Sequence, residues 1–379
     1  MQQSIRQQCV MIIAGEASGD LHGANLVRCM RKNNPDLFFC GIGGRDLRAA
    51  GVRILVDAST LAVVGITEVL VKLPSLIKGM TAVKRLLKAL KPDLLILIDF
   101  PDFNLHVAAV AKRINVPVLY YISPQVWAWR SGRVKKIRKL VDHVAVILPF
   151  EEDFFKSQNI PVTFVGHPLL DNPMVDFAPK PECHGGTVRT IGLLPGSRDR
   201  EIARHLPVML DAARLIRERT GNVKFIVSVA PSVEKESIEA IISQARDADC
   251  YETVCQGVEK IFQQSSLVIA ASGTVTLQAA LAITPVVIIY KVSPVSYWLG
   301  RALIQVESIS LVNLIAGCKI VPELIQKDAS ALNIAELVTG ILSDEKQMEA
   351  MRDELGKVRN ILGGPGASAK VAGIALDML

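Results

Sequence analysis

Short apolar runs of strand length recur along the chain, and stretches with helical spacing separate them. In the first half the runs are CVMIIA (9–14), LFFCGIG (37–43), LLILID (94–99), PVLYYIS (117–123) and HVAVIL (143–148). Helices are expected near 21–33, 74–90 and 103–113. A second series follows with TIGLLPG (190–196), VKFIVSVA (223–230), LVIAASG (267–273) and PVVIIY (285–290). This alternation predicts βαβ units and parallel sheets covered on both faces. The pattern lapses near 170–187, where DNPMVDFAPKPECHGG is dense in Pro and Gly and reads as a linker. Two doubly wound α/β domains are therefore expected, at residues 1–175 and 187–343. Residues 344–379 read as one or two helices, broken at GGPG (363–366), that return to the first domain.

Length agrees with two cores, since 379 residues exceed what one ordinary core accommodates. Half the residues are hydrophobic, and the mean hydropathy is +0.33. Yet no apolar run approaches the ~18–20 residues that span a bilayer. Lys and Arg number 43 against 37 Asp and Glu, for a net charge of +6. That excess suits phosphates, nucleotides or an acidic lipid surface, and by itself is too small to indicate nucleic acid. The seven cysteines are odd in number and include no C-x-x-C pair, which argues against a disulfide framework or structural zinc. The polar start MQQSIRQQ does not resemble a secretory signal, so a reduced, cytoplasmic protein is expected.

In doubly wound sheets, ligands bind beyond the carboxyl ends of the strands. After the first strand, AGEASGDLHG (14–23) has Gly15 and Gly19 for a tight turn, and Ser18 or Asp20 to cap the next helix. It lacks the G-x-G-x-x-G dinucleotide pattern, so NAD is poorly supported. After the strand at 190–196, Gly196 and Ser197 open a helix with Arg198 in its first turn. A cation there opposes the helix dipole, unless a bound diphosphate compensates both. The alternative is a surface pair with Asp199 or Glu201. Ser272, Gly273 and Thr274 repeat the strand–turn–helix arrangement, and Gln278 lies one turn further. Asn313, in SLVNLIAG (310–317), is either a core amide or a ligand contact.

Three further stretches stand out. LLILIDFPDFNLH (94–106) places Asp99, Asp102 and Asn104 at the tip of a buried strand. YISPQVWAWRSGRVKKIRKL (121–140) sets Trp127 and Trp129 beside Arg130 and a basic run, which suits nucleic-acid stacking, anionic lipid or a solvated helix face. LAVVGITEVLVKLPSLIKGM (61–80) interleaves Val63, Val64, Ile66, Val69, Leu70 and Leu73 with lysines. It reads as a buried helix or as an interfacial segment that touches acyl chains.

AGEASGD, VVGITEVL, KPDLLILIDFPDFN, SPQVWAWR, LPFEEDFF, VGHPLLD, LLPGSRDREI, ASGTVTLQ and SLVNLIAG follow one another in this order. Together they resemble the lipid A disaccharide synthases, glycosyltransferases of the GT-B fold, over nearly the full chain. The resemblance implies two Rossmann-like domains facing across a cleft, the first for acceptor and the second for UDP-sugar. It implies transfer of 2,3-diacylglucosamine from UDP to the 6-hydroxyl of 2,3-diacylglucosamine 1-phosphate (lipid X), with inversion to a β(1→6) disaccharide.

Asp99 matches the family's base, and Asp102 is then a supporting acid that caps a helix or orients Asp99. Arg198 is implied to stabilise the departing UDP without metal or other cofactor. Substrate contacts are implied at Glu16, Ser18, Gly19, Asp20, Asp102, Asn104, Trp127, Arg130, Gly196, Ser197, Ser272, Gly273, Thr274, Gln278 and Asn313. The family usually has Glu where this chain has Gln278, so an altered ribose contact is expected. Peripheral attachment to the cytoplasmic face of the inner membrane is implied, with no nucleic-acid partner. The apolar content leaves room for a homodimer. The rivals are another GT-B enzyme, such as a UDP-N-acetylglucosamine epimerase or a peptidoglycan glycosyltransferase, and a non-catalytic binder of nucleotide-sugar or anionic lipid.

Overall fold

The computed structural model describes residues 7–58, 66–127, 132–171, 189–255, 257–293 and 308–379, with side chains of the helix beginning at Ile66 described from Ile77 onward. Within the first unit, β1 (Cys9–Ala14), β2 (Phe38–Gly43), β3 (Arg53–Asp57), β4 (Leu94–Ile98), β5 (Val118–Tyr121), β6 (His143–Val146) and β7 (Val162–Phe164) form one parallel sheet. The strand order is β3-β2-β1-β4-β5-β6-β7. Connecting helices are α1 (Ala17–Asn33), α2 (Arg45–Ala49), α3 (Ile66–Leu90), α4 (Pro101–Arg113), α5 (Gly132–Leu140) and α6 (Pro149–Ser157).

Successive residues of a strand point to opposite faces, so an unbroken apolar run supplies two cores. Met11, Ile13, Leu95, Leu97, Val118 and Tyr120 join one core with Val83 and Leu87 of α3 and Phe103 and Val107 of α4. Val10, Ile12, Leu94, Ile96, Leu119 and Tyr121 join the other with Leu26, Val27 and Met30 of α1. Fully burying each such aliphatic side chain stabilises by about 1.5–3 kcal/mol.

The second unit repeats the plan. Its parallel sheet has β8 (Arg189–Leu194), β9 (Val223–Ser228), β10 (Tyr251–Val254), β11 (Leu267–Ala271), β12 (Val286–Tyr290) and β13 (Glu323–Ile325), in the order β10-β9-β8-β11-β12-β13. Its helices are α7 (Asp199–Thr220), α8 (Lys235–Ile242), α9 (Glu259–Gln264), α10 (Thr274–Leu281), α11 (Leu311–Ala316), α12 (Ala331–Ser343) and α13 (Glu345–Leu362). The chain ends in α14 (Ala367–Asp377).

The units comprise Met1–Asn172 with Gly364–Leu379, and Pro173–Gly363. The expected return to the first unit at 344 is thus displaced. α13 packs on α10, α11 and α12 and buries Met348, Met351, Leu355, Val358 and Leu362, an apolar stripe at helical spacing that the second unit absorbs. The crossing comes at the glycine break, where Gly363 and Gly366 have φ of 86° and 115°. α14 then packs on α1, and Val371, Ala372 and Ala375 enter the first unit's core. Its N-cap, Gly366, has no side chain to offer. The carboxylate of Asp171 supplies the cap, accepting the N–H groups of Gly366, Ala367 and Ser368 at 2.6, 3.0 and 2.7 Å. The linker expected at 170–187 lies, from residue 172 onward, outside the described residues.

In both sheets the order reverses beside the first strand, between β1 and β4 and between β8 and β11. Ligands of open parallel sheets bind at such switch points, beyond the carboxyl ends.

Candidate active site

At the first switch point, β4 ends in a left-handed kink. Asp99 and Phe100 have φ of 46° and 48°, a conformation that side chains other than glycine rarely adopt. Four hydrogen bonds hold it. The Asp99 N–H donates to the carbonyls of Tyr121 and Ile122 (3.4 and 3.2 Å). The Asp99 carbonyl accepts from the Tyr120 hydroxyl at 2.9 Å and from Asn104 Nδ2 at 2.6 Å. The Phe100 ring lies on Gly15, where an added Cβ would come within 2.5 Å of it. That contact joins the β1 and β4 loops.

The Asp99 side chain is half-buried at this tip. Burial, and secondly the negative charge of Glu16, push its carboxyl up to about 6, while a backbone hydrogen bond at Phe100 opposes the shift. A carboxylate with this affinity for protons, ionised at neutral pH, suits general-base work.

The neighbouring predictions divide. Glu16 and Ser18 are exposed at the start of α1, and Glu16 faces Asp99 electrostatically. Gly19 is buried against Ala14 and Ile98. Asp20 caps α2 rather than α1: its carboxylate accepts the N–H groups of Gly44 (2.6 Å), Asp46 (2.8 Å) and Leu47 (3.4 Å), and it is 4% exposed. Ser18 makes no cap either, since Glu16 is the N-cap of α1 and no side chain closes it.

Asn104 is fully buried, and its amide donates to the backbone of Ile98 and Asp99, so it positions the kink. The N-cap of α4 is Phe100 rather than Asp102, and the Asp102 carboxylate pairs with Arg133 of α5 at 2.5 Å. Arg133 is buried, so the basic run is not one solvated face. Trp127 donates its indole N–H to Glu151 at 3.0 Å. Arg130 lies outside the described residues, as do Val63 and Val64. Ile66, Val69, Leu70 and Leu73 fall within α3 ahead of its described side chains, the first of which, Ile77, is 58% exposed. Burial lowers His167 to about 3, which leaves it neutral beside the Asp171 cap.

The second switch point is a cavity of about 370 Å³. Gly196 and Ser197 line it from the β8 loop, Ser272, Gly273 and Thr274 from the β11 loop, and Gln278 from the next turn of α10. Residues Ser228 to Pro231, Val254 and Val258 are among those that complete it. The N-termini of α7 and α10 both border this space, and helix N-termini attract anions. Arg198 is the N-cap of α7 and pairs with Glu201 at 3.0 Å, with the guanidinium side chain 51% exposed. Glu201 also accepts the Ser197 N–H at 3.3 Å. A carboxylate therefore sits where two phosphate-type donors point. The pair is exposed and weak, on the order of 0–1 kcal/mol, so an incoming anion can replace it.

Sequence reasoning missed the residue that braces this loop. His205 of α7 is 1% exposed; its Nδ1–H donates to the Pro195 carbonyl at 2.9 Å, and Nε2 accepts the Lys291 N–H at 3.0 Å. Burial lowers its affinity for protons, in keeping with a neutral ring. Asn313 is a core amide whose hydrogen bonds are met within the fold. At 1% exposure, Oδ1 accepts from Ile320 and Val321 N–H (2.9 and 3.0 Å), while Nδ2 donates to the Val321 carbonyl and Glu323 (2.9 and 2.8 Å). Ser272, which lines the cavity, is tied by its hydroxyl to the Ile309 carbonyl at 3.4 Å. Among the described residues, no three His, Cys, Asp or Glu side chains cluster as metal ligands.

Two parallel doubly wound units, each with a candidate site at its switch point, have the GT-B fold, and solved structures share it. UDP-GlcNAc 2-epimerase from Neisseria meningitidis, solved with UDP-GlcNAc bound, superposes with a TM-score of 0.65 at 13% identity, covering 98% of this chain and 100% of that one. MurG from Acinetobacter baumannii gives 0.58 at 15% identity, covering 98% and 99%. Sequence narrows the class. The Lipid-A-disaccharide synthetase family matches residues 10–368. Lipid-A-disaccharide synthase from Geobacter metallireducens is 47% identical over 383 residues, covering 98% of this chain and 97% of that relative. The chain belongs to the lipid-A-disaccharide synthase family, whose members are glycosyltransferases.

Proposed function

We propose that the protein transfers 2,3-diacylglucosamine from its UDP derivative to the 6-hydroxyl of 2,3-diacylglucosamine 1-phosphate, with inversion, giving the β(1→6) disaccharide 1-phosphate and UDP. The observation that carries this reading is Asp99: a carboxylate with raised proton affinity, held in a braced kink at the first switch point. Asp99 takes the proton of the acceptor hydroxyl as its oxygen forms the new bond to the anomeric carbon. The bond from that carbon to the diphosphate oxygen breaks, and its electron pair leaves with UDP. Arg198 and the N-termini of α7 and α10 stabilise the negative charge that develops there. Gln278 meets the ribose as an uncharged amide. The cavity of about 370 Å³ and its two helix ends support a nucleotide diphosphate on this side.

Both substrates carry acyl chains, which points to work at a membrane surface. No described helix is long and apolar enough to cross a membrane. The exposed Ile77 of α3 and the exposed Lys135, Lys136, Arg138 and Lys139 of α5 support a peripheral contact with anionic lipid.

A turnover assay tests the reading. The two lipid substrates are incubated with purified protein in mild detergent and EDTA, beside Asp99→Ala. Disaccharide and UDP are expected from the parent, and almost none from a variant that still binds UDP. A folded parent that binds UDP yet forms no disaccharide sinks the proposal.

A further inference from the structure

Leu148-Pro149-Phe150-Glu151 opens α6 after β6, two strands along the sheet from the Asp99 kink at β4. Glu151 is the third residue of that helix, and its Oε2 accepts the Leu148 N–H at 3.1 Å, as a capping glutamate does. A glutamate that only caps keeps its second oxygen in water. Here the side chain is 2% exposed, and Oε1 accepts the Trp127 indole N–H at 3.0 Å. Burial pushes the carboxyl up to about 7, against hydrogen bonds from Trp127 and the backbone at Leu148 and Ile147. Burying a carboxylate is unfavourable unless its partners need it.

Phe150 holds the same indole from a second direction, edge-on, with centroids 4.8 Å apart and planes at 89°. Consecutive residues of α6 thus grip one tryptophan. Trp127 lies on the loop after β5; Tyr121, the last residue of that strand, and Ile122, the first of the loop, accept the Asp99 N–H. Ser123, Pro124 and Val126 are buried and anchor the segment between Ile122 and Trp127. Trp127 itself is only half-buried.

We propose that Glu151 is a positioning residue for the acceptor: its carboxylate holds Trp127 so that the uncovered part of the indole forms a wall for the acceptor sugar on the loop bonded to Asp99. This rests on the proposed function, since it assigns the β5 loop to the lipid-phosphate acceptor. Glu151 acts through Trp127 and touches neither substrate.

The test uses the full chain with Glu151→Gln, Trp127→Phe and the double variant, measuring kcat, both KM values and melting temperature. Glu151→Gln retains the shape but removes the charge from the hydrogen bond to the indole. Its acceptor KM is expected to rise about tenfold, the scale of one weakened charged hydrogen bond, with donor KM unchanged. Trp127→Phe should raise the acceptor KM as much, and the double variant should be no worse than Trp127→Phe alone. In a background with Trp129→Phe and Trp298→Phe, Glu151→Gln should shift Trp127 emission and ease its quenching by acrylamide, with or without turnover.

A lower melting temperature with both KM values unmoved would reduce Glu151 to a helix cap and overturn the proposal. So would multiplicative effects in the double variant, or unchanged emission. Absence of turnover in the parent would sink the proposed function and this proposal together. Normal parent turnover with an unmoved acceptor KM in Glu151→Gln sinks this one alone.

Discussion

The two switch points have the same sheet topology and opposite kinds of surface. At β1/β4 the candidate site is one side chain on strained backbone, and the buried polar side chains of Tyr120 and Asn104 brace it. At β8/β11 the candidate site is a cavity built by several loops. Two helix ends and the turns at Gly196 and Gly273 border the cavity, and Arg198, between the lining residues Ser197 and Glu201, is exposed. The contrast follows from what each is proposed to do. Moving a proton needs a carboxylate at a controlled position and proton affinity. Holding a diphosphate needs several N–H groups and a cation, which helix ends supply at little structural cost.

Removing the Asp99 carboxylate should break this contrast most severely. Asp99→Asn should lower kcat by about a thousandfold, within the usual range for a lost general base, while UDP binding persists. The same variant should be more stable. The Asp99 carboxyl is raised from 3.8 to about 6 by burial, so its ionised form is the unfavourable one in the folded protein. The destabilisation sets in as pH rises past about 4 and is complete above about 6. Asn also tolerates the left-handed backbone. Melting at pH 8 should therefore show a gain on the order of 2 kcal/mol that disappears near pH 4. Retained turnover, or no gain at pH 8, would count against Asp99 as the base.

Arg198→Ala should lower turnover by about a hundredfold and weaken UDP binding as well, because the guanidinium meets charge in both ground and transition states. Lysine should restore only part, lacking the planar fork. Titration by isothermal calorimetry separates this from Asp99, which should leave UDP affinity alone.

Acidification sharpens the comparison further. Below about pH 6, kcat/KM should fall by about tenfold per pH unit as Asp99 takes up a proton. UDP binding should show no limb from that group. A flat rate profile down to pH 5 would contradict the assignment.

The smallest effect should have the opposite sign. Glu201 places a carboxylate against the Ser197 N–H and the Arg198 guanidinium, in the space assigned to diphosphate. Glu201→Gln should therefore tighten UDP binding by about threefold to tenfold and leave uridine binding unchanged, a surface-pair effect of the order of 1 kcal/mol. Weaker UDP binding would mean that Glu201 braces the loop rather than competing with the ligand.

How much could be read before folding follows from burial. Every strand that was expected from its apolar run, such as β1, β4, β8 and β11, is interior to its sheet. β3, β7, β10 and β13 were not expected, and each is a sheet edge. Their burial patterns, such as that of RILVD in β3, are mixed, because an edge strand is covered on fewer sides and carries no continuous apolar run. The same holds for the sites. Asp99 was legible because an acid ends an apolar run, and Gly196–Arg198 because glycine, serine and arginine open a helix. The resemblance rested on the order of such motifs, and it carried the family.

The tasks of the remaining polar residues depended on partners far along the chain. Asp20 meets the α2 backbone, Asp102 meets Arg133, Asn313 meets Glu323, His205 bridges Pro195 to Lys291, and Asp171 caps α14 across 195 residues. Local sequence determines which residues enter strands and helices, because hydrophobic spacing and backbone sterics act over a few residues. Only the tertiary structure decided which polar groups brace the scaffold and which stay free for chemistry. A buried polar group must find a partner, and that partner is set by the packing of the whole chain.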